Sequence, residues 1–342
     1  SNCDFEETSV GFRFNSGAGT AANTFWELNL HSCNSKNHSG PFTHVYGPGI
    51  TGVIENNTVN RNNLCSSMGG AFYIQVNTTT YNGNRLPLKI RYNVVSGAVN
   101  GAGNNAFDGS CYYADIQDNG SIFYGNWALN SYLALQCGSG ARSEWYSNIA
   151  VNCEKLGMWD NAAAIQTQDY VIANNLCFAA PRGTFSHGDV ADVHPYVLTV
   201  YQSGTPANLV GGKVVNNHIV IPAIDSTRVP INAYDATQWA SGKLQIARNL
   251  CSGGSVRQVV SDFNSIDRTA QADCLAKTLK PDFVAESSYN YTLGSNTQLA
   301  QTGVDVVYPG ITDARGNLYY SPPTVGPYEV PRKLSLFGPI GR

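Results

Sequence analysis

Charge is what this sequence has least of. Asp, Glu, Lys and Arg make up 13% of its 342 residues, about half the usual share in a soluble domain. Long exposed helices draw on Lys, Glu and Ala, so a chain this poor in charge is not built mainly from them. A net charge of −3 provides no basic surface for nucleic acid or an anionic membrane. Long apolar runs are also missing: none reaches the ~18 residues that mark a membrane-spanning helix. No Cys-x-x-Cys pair occurs among the nine cysteines, which argues against a zinc or thioredoxin-like site. The opening residues, SNCDFEETSV, show neither an initiator Met nor a signal-peptide pattern, so the chain is expected to be processed, trimmed or a fragment.

What is abundant is Gly and Asn, 34 and 35 residues, within a chain that is 42% hydrophobic. The apolar content excludes a disordered chain. Gly and Asn accept positive φ and bond their own backbone in turns, which suits many short strands joined by tight bends. Asn-Leu-Cys occurs three times, at Asn63, Asn175 and Asn249, in TVNRNNLCSS, YVIANNLCFAA and LQIARNLCSG. Cys in the same slot each time suggests a repeated packing position, where a thiol serves as a small buried apolar group. Cys3 and Cys33 are the pair most open to bridging.

A second element recurs ahead of the Asn, an apolar residue followed by Gln. It appears in GGAFYIQ (69–75), CYYADIQ (111–117), NSYLALQ (130–136), NAAAIQ (161–166) and YVLTVYQ (196–202). Each precedes an apolar-x-x-Asn run: IRYNVV, IFYGNWA, EWYSNIAV, YVIANNLC and KVVNNHIV. The unit is therefore strand, turn, strand ending in Asn, then a variable loop. Such a unit of ~20 residues cannot bury its own apolar face, but copies stacked at the strand spacing share one core and tolerate loops on one side. The recurring Asn would then form a ladder at one corner, with Leu and Cys beside it pointing inward.

These units resemble those of right-handed parallel β-helix proteins, the group that includes pectate-lyase-like and chondroitinase-B-like enzymes and many phage tailspikes. The likeness spans roughly residues 5–260. Near the end, ESSYNYTLGSNTQLAQTG (286–303) and DARGNLYYSPPTVGPYE (313–329) resemble the closing segment of secreted members, an Asp-x-x-Gly turn followed by a Pro-x-x-Gly-x-Tyr-Glu strand. The resemblance implies an all-β chain: a single-stranded right-handed parallel β-helix, or solenoid, over 1–260. A helix or loop and a closing β segment would follow in 261–342. The one fair helical candidate is SIDRTAQADCLAKTL (265–279). A sandwich would space its turns more evenly, and a propeller would keep a regular period.

Alternation along the Gln-ended strands puts Ile74, Ile116, Leu135, Ile165 and Tyr201 inside and lines Gln75, Gln117, Gln136, Gln166 and Gln202 into an outer row. Tyr73, Tyr113 and Tyr132 share that face, and with Gln75, Gln117, Gln136 and Gln166 they are the candidate substrate-binding residues. Tyr rings and amides suit sugars, which have C–H faces and hydroxyl edges. Asp115 is the leading catalytic candidate; Asp108 and Asp118 are near it in sequence. Glu144, Glu154 or Asp160 could complete a carboxylate pair for glycoside hydrolysis. SHGDVADVHPY (186–196) is the densest polar cluster, and His187 and Asp189 within it are catalytic candidates, beside Asp192 and His194. A uronate lyase needs a base near C5 and a cation against the sugar carboxylate, for which His187, His194, Lys155 and Arg142 are available.

The expected function is to bind and depolymerise an extracellular or cell-surface polysaccharide, as lyase or hydrolase, along an outer groove. The alternative is a non-catalytic virion or surface adhesin, or a structural rod. No metal site is expected and no cofactor is called for, except Ca2+ if the chemistry is elimination. Polysaccharide is the expected partner, with neither nucleic acid nor membrane, and the location is extracellular, secreted or on a virion. Apolar residues in RKLSLFGPIGR are compatible with a homotrimer or larger assembly.

Overall fold

Leu88–Arg91 buries Leu88 and Ile90 and leaves Lys89 and Arg91 partly exposed. A period of two marks a strand with one face on a core, and it recurs along the chain. The computed structural model describes residues 3–6, 11–17, 25–38, 40–61, 70–77, 79–81, 84–98, 110–115, 120–138, 143–159, 168–185, 196–200, 210–233, 244–252, 259–261, 274–275, 283–285, 290–293, 303, 305–306, 308 and 310–329. Within them the protein is all-β, and its parallel strands lie in two sheets, one of seventeen strands and one of eight. The segments 79–81 with 84–86 and 283–285 with 290–293 form separate antiparallel ribbons.

The smaller sheet shows the repeat most plainly. Trp26–His31, Ile50–Glu55, Leu88–Arg91, Ile122–Tyr124, Glu144–Tyr146, Gln168–Ala173, Val210–Val215 and Leu244–Ala247 pair in parallel in sequence order. After each, the chain bends over two residues and enters the larger sheet. The first bend residue is left-handed: Ser32, Asn56, Tyr92, Gly125, Ser147, Asn174, Asn216 and Arg248 have φ between 52° and 65°. For residues other than Gly, and less so Asn, that conformation costs roughly 1–2 kcal/mol, so the bend requires compensation.

From the second bend on, the residue that follows supplies it; at the first bend that place is taken by Cys33, whose N–H donates to Asn57 Oδ1 at 2.9 Å. Asn57, Asn93, Asn126, Asn148, Asn175, Asn217 and Asn249 form a buried ladder with steps of 36, 33, 22, 27, 42 and 32 residues. Each Oδ1 in the interior of the ladder accepts from the backbone N–H and the Nδ2 of the Asn one unit earlier. Each Nδ2 donates to the next Asn and to a strand carbonyl behind it, as Asn148 does to Asn175 Oδ1 at 3.0 Å and Phe123 O at 3.1 Å. All the amide's capacity is thereby used. Irregular spacing in sequence hides a constant spacing in space, because loops absorb the difference. Asn175 and Asn249 occupy ladder positions, and the following Cys177 and Cys251 are buried in the core. Asn63 lies outside the described residues, and the ladder position of that unit belongs to Asn57.

The main core runs between the sheets. Along it Phe42 meets Phe72 edge to face at 5.5 Å, Phe72 stacks on Tyr112 at 5.2 Å, and Phe123 lies flat on Trp145 at 3.8 Å. Within 265–279, where a lone helix or long loop is expected, the described residues Cys274–Leu275 instead pair as a strand with Asn249–Leu250. The Asp-x-x-Gly turn is present, Gly316 N–H donating to Asp313 O at 3.1 Å. The expected Pro-x-x-Gly-x-Tyr-Glu strand is not, since residues 310–329 contain no strand. They lie irregularly along the bend between the sheets, Ile311 against Tyr124 and Tyr146 of the smaller sheet and Tyr328 against Ile149 and Leu176 of the larger, held by Asn174, whose Nδ2 donates to Thr324 O at 2.7 Å and Gly326 O at 3.0 Å.

Candidate functional site

In the larger sheet the inward positions Phe72, Tyr112, Leu135, Leu198 and Ile231 belong to the core, as do Val45, Ile74, Ala114, Cys137 and Val200. The residues between them therefore face outward. In register, one outward column runs Arg13, His44, Tyr73, Tyr113 and Gln136, and continues across the strand Ile149–Trp159 to Thr199 and Asn232. Beside it, Asn15, Tyr46 and Gln75 are in register, and Asp115 follows Gln75, its N–H bonded to Ile74 O at 2.8 Å.

Asp115 is the hub. Its carboxylate accepts from the Tyr73 hydroxyl, from Gln75 Nε2 at 2.8 Å and from the Tyr113 hydroxyl at 2.8 Å. Gly138 sits against it, and a methyl group there would stand 2.7 Å from Asp115 Oδ1 and 3.2 Å from the Tyr113 oxygen. Tyr73 and Tyr113 rings are 5.2 Å apart. His44 lies between two rings, Tyr46 at 4.8 Å and Tyr73 at 4.7 Å. Burial holds its imidazole below the ordinary value of 6.5; the hydrogen bond with Gln75 opposes that, the Arg13 charge adds to it, and the Asp115 charge opposes it. Tyr46 oxygen accepts from Asn15 Nδ2 at 2.8 Å and Arg13 at 3.2 Å.

Three buried atoms of this column have no hydrogen-bond partner among the described residues: His44 Nε2, Gln136 Oε1 and Asn232 Oδ1. Their residues are 6%, 3% and 3% exposed. A buried polar atom left in that state costs about 1–3 kcal/mol, so three on one column is a feature to explain.

Of the expected row of five Gln, the two described members, Gln75 and Gln136, do not share a column. Gln75 neighbours Asp115, whereas Gln136 is in register with Tyr113, two residues back along the strand. Gln117, Gln166 and Gln202 lie outside the described residues, as do Ile116, Ile165 and Tyr201. Tyr132 is not in register with Tyr73 and Tyr113; it is buried, with Lys155 Nζ 4.8 Å above its ring. Glu144 belongs to the smaller sheet, where its carboxylate accepts from Tyr146 at 3.0 Å, so it is not paired with Asp115. Glu154 is buried and accepts from the backbone N–H of Gly183 at 3.1 Å and of Phe185; it fastens a turn. His187, Asp189, Asp192, His194, Asp108, Asp118, Asp160 and Arg142 fall outside the described residues.

Arg13, His44 and Tyr46 are the site residues that sequence reasoning missed. The signal was there: FTHVYG aligns with AFYIQV and CYYADI once the apolar positions, rather than the Gln, are superposed. Among the described residues no group of three or more His, Cys, Asp or Glu could hold a metal ion. Asp115, already bonded to three donors, does not fit a Ca2+ site. No family model matches the chain, and no curated protein matches it.

Proposed function

We propose that the two parallel sheets are walls of one right-handed parallel β-helix closed by the segment ending at Glu329, and that its larger outer face binds and depolymerises an extracellular or cell-surface polysaccharide. The fold reading is supported by in-register parallel pairing of successive units and by the Asn ladder at a repeated bend. Strands repeat every ~4.8 Å, close to the rise of one sugar in an extended chain, so a polymer lying along the column meets one side chain per unit. Tyr73 and Tyr113 offer apolar planes to sugar C–H faces.

The observation that carries the functional reading is the trio of buried polar atoms without a hydrogen-bond partner among the described residues, His44 Nε2, Gln136 Oε1 and Asn232 Oδ1. Sugar hydroxyls both donate and accept, so they would satisfy all three. Elimination is favoured over hydrolysis. Hydrolysis calls for two facing carboxylates, and among the described residues of this face Asp115 stands alone and bonded to three donors. Elimination calls for a base and a nearby cation, and His44 stands in register beside Arg13. The substrate class is then a uronate-containing polymer, and the site of action is outside the cell or on a virion.

Incubation with a panel of acidic and neutral polysaccharides tests this, following ultraviolet absorbance of unsaturated uronate and the appearance of reducing ends. Both signals on an acidic polymer are expected. Reducing ends without the absorbance would reassign the chemistry to hydrolysis, binding alone would leave an adhesin, and no binding to any polymer would remove the reading.

A further inference from the structure

The strand Phe12–Asn15 packs Phe12 and Phe14 against the core and leaves Arg13 and Asn15 exposed on the outer face. Tyr46, half-buried, is in register with Asn15 on the next strand. Its oxygen accepts from Asn15 Nδ2 at 2.8 Å and from Arg13 Nη2 at 3.2 Å, which uses both lone pairs, so the Tyr46 O–H is left to donate. Asn15 Oδ1 is turned away, accepting from the Gly17 N–H at 2.8 Å, and this fixes the amide with its N–H groups towards Tyr46. The Arg13 guanidinium lies 5.2 Å from the centre of the Tyr46 ring, and among the described residues no carboxylate pairs with it. This exposed corner therefore presents donors, one of them charged, with its one side-chain acceptor facing elsewhere. An oxyanion, which only accepts, is the ligand that matches it.

Two strands further along, at ~10 Å, the polarity reverses. The Asp115 carboxylate accepts from Tyr73, Gln75 and Tyr113, all uncharged. A second acidic group placed there would meet a like charge, whereas a neutral sugar could lie on the Tyr rings.

We infer that Arg13, Asn15 and Tyr46 form an oxyanion subsite that takes the acidic group of one sugar, while a neutral sugar lies over Tyr73 and Tyr113. The ligand is then a heteropolysaccharide with its acidic residues spaced apart, not a uronate homopolymer. This rests on the reading of the face as a polysaccharide site. Carboxylate and sulfate ester share the chemistry the corner recognises, and the experiment separates them.

Titration calorimetry on the full chain uses the acidic polymer bound best in the panel, its carboxyl-reduced and desulfated forms, and polygalacturonate. Arg13→Gln and Tyr46→Phe should each weaken binding of the intact polymer about 10–100-fold, with the urea midpoint unmoved. Arg13→Lys should recover part of the loss. Removing the recognised anion from the polymer should erase the effect of both substitutions, and whether reduction or desulfation does so names that anion. Asp115→Asn should raise the affinity for polygalacturonate severalfold. An equal loss on the intact and anion-free polymers, or no loss on either, would overturn the subsite and leave the polysaccharide reading standing. Polygalacturonate as the tightest ligand, unimproved by Asp115→Asn, would overturn the order of sugars. Binding of no polymer would remove the polysaccharide reading and the subsite with it.

Discussion

Asn148 is the most informative single residue to remove. It is 2% exposed and makes four hydrogen bonds with its side chain. Oδ1 accepts from Asn126 N–H at 3.2 Å and Asn126 Nδ2 at 3.0 Å; Nδ2 donates to Phe123 O at 3.1 Å and Asn175 Oδ1 at 3.0 Å. Truncation to Ala strands the Asn126 N–H outright and takes one bond each from Asn126 Nδ2, Phe123 O and Asn175 Oδ1. At about 0.5–1.5 kcal/mol net per bond, more where a buried group is left unpaired, Asn148→Ala should cost about 4–6 kcal/mol, a large part of a typical domain's stability. Asn29, exposed and with its side chain bonded among the described residues only to Glu27, at 3.0 Å, is the control, and its replacement by Ala should stay within about 0.5 kcal/mol. Urea unfolding followed by tryptophan fluorescence reads both, since Trp145 stacks on Phe123 next to the ladder. A loss below about 1 kcal/mol for Asn148→Ala would mean that the ladder does not hold the bends in place.

Other substitutions probe the bend, the site and the closing segment. Arg248 is exposed with φ of 55°; Arg248→Asn should raise stability by about 0.5–1 kcal/mol, since Asn tolerates that conformation better, as read by the urea midpoint. Gly138→Ala must displace Asp115 or Tyr113, costing about 1–3 kcal/mol in stability and weakening polymer binding in titration calorimetry. Glu329 is raised to about 7, chiefly by burial and also by Asp313, against the hydrogen bonds from Thr324. A carboxyl whose folded pKa is raised stabilises the folded form below its ordinary value of 4.5, and that contribution is lost as pH rises through about 7. Exchange protection of residues 311–329, corrected for intrinsic rates, should therefore fall between about pH 5 and about pH 8, and Glu329→Gln should flatten the trend.

Much of the fold was legible because Asn has few other reasons to recur after an apolar residue two or three places earlier. Asn93, Asn126, Asn148, Asn175 and Asn217 were all readable in that way, despite irregular spacing. Asn57 was missed because NNT carries neither the Leu nor the Cys that drew attention to Asn63. The site was only half legible, for a reason built into strands. A slip of one residue exchanges the two faces and is easily detected, but a slip of two leaves every side chain on its own face. Alternation alone therefore could not choose between placing Gln117 or Asp115 beside Gln75. The aromatic pairs chose: Phe72 stacks on Tyr112 in the core and Tyr73 packs on Tyr113 outside, and that register puts Asp115 beside Gln75. The segment 310–329 has no period to read, because it is held by backbone carbonyls on Asn174 and by the Asp313 turn rather than by a ladder.

A double-mutant cycle on Tyr73→Phe and Asp115→Ala tests the central claim, the register of the outer face, most directly. A hydrogen bond to a carboxylate in a part-buried site should give a coupling of about 1.5–3 kcal/mol in unfolding free energy. Additivity within about 0.3–0.5 kcal/mol, the behaviour of residues that do not touch, would contradict it.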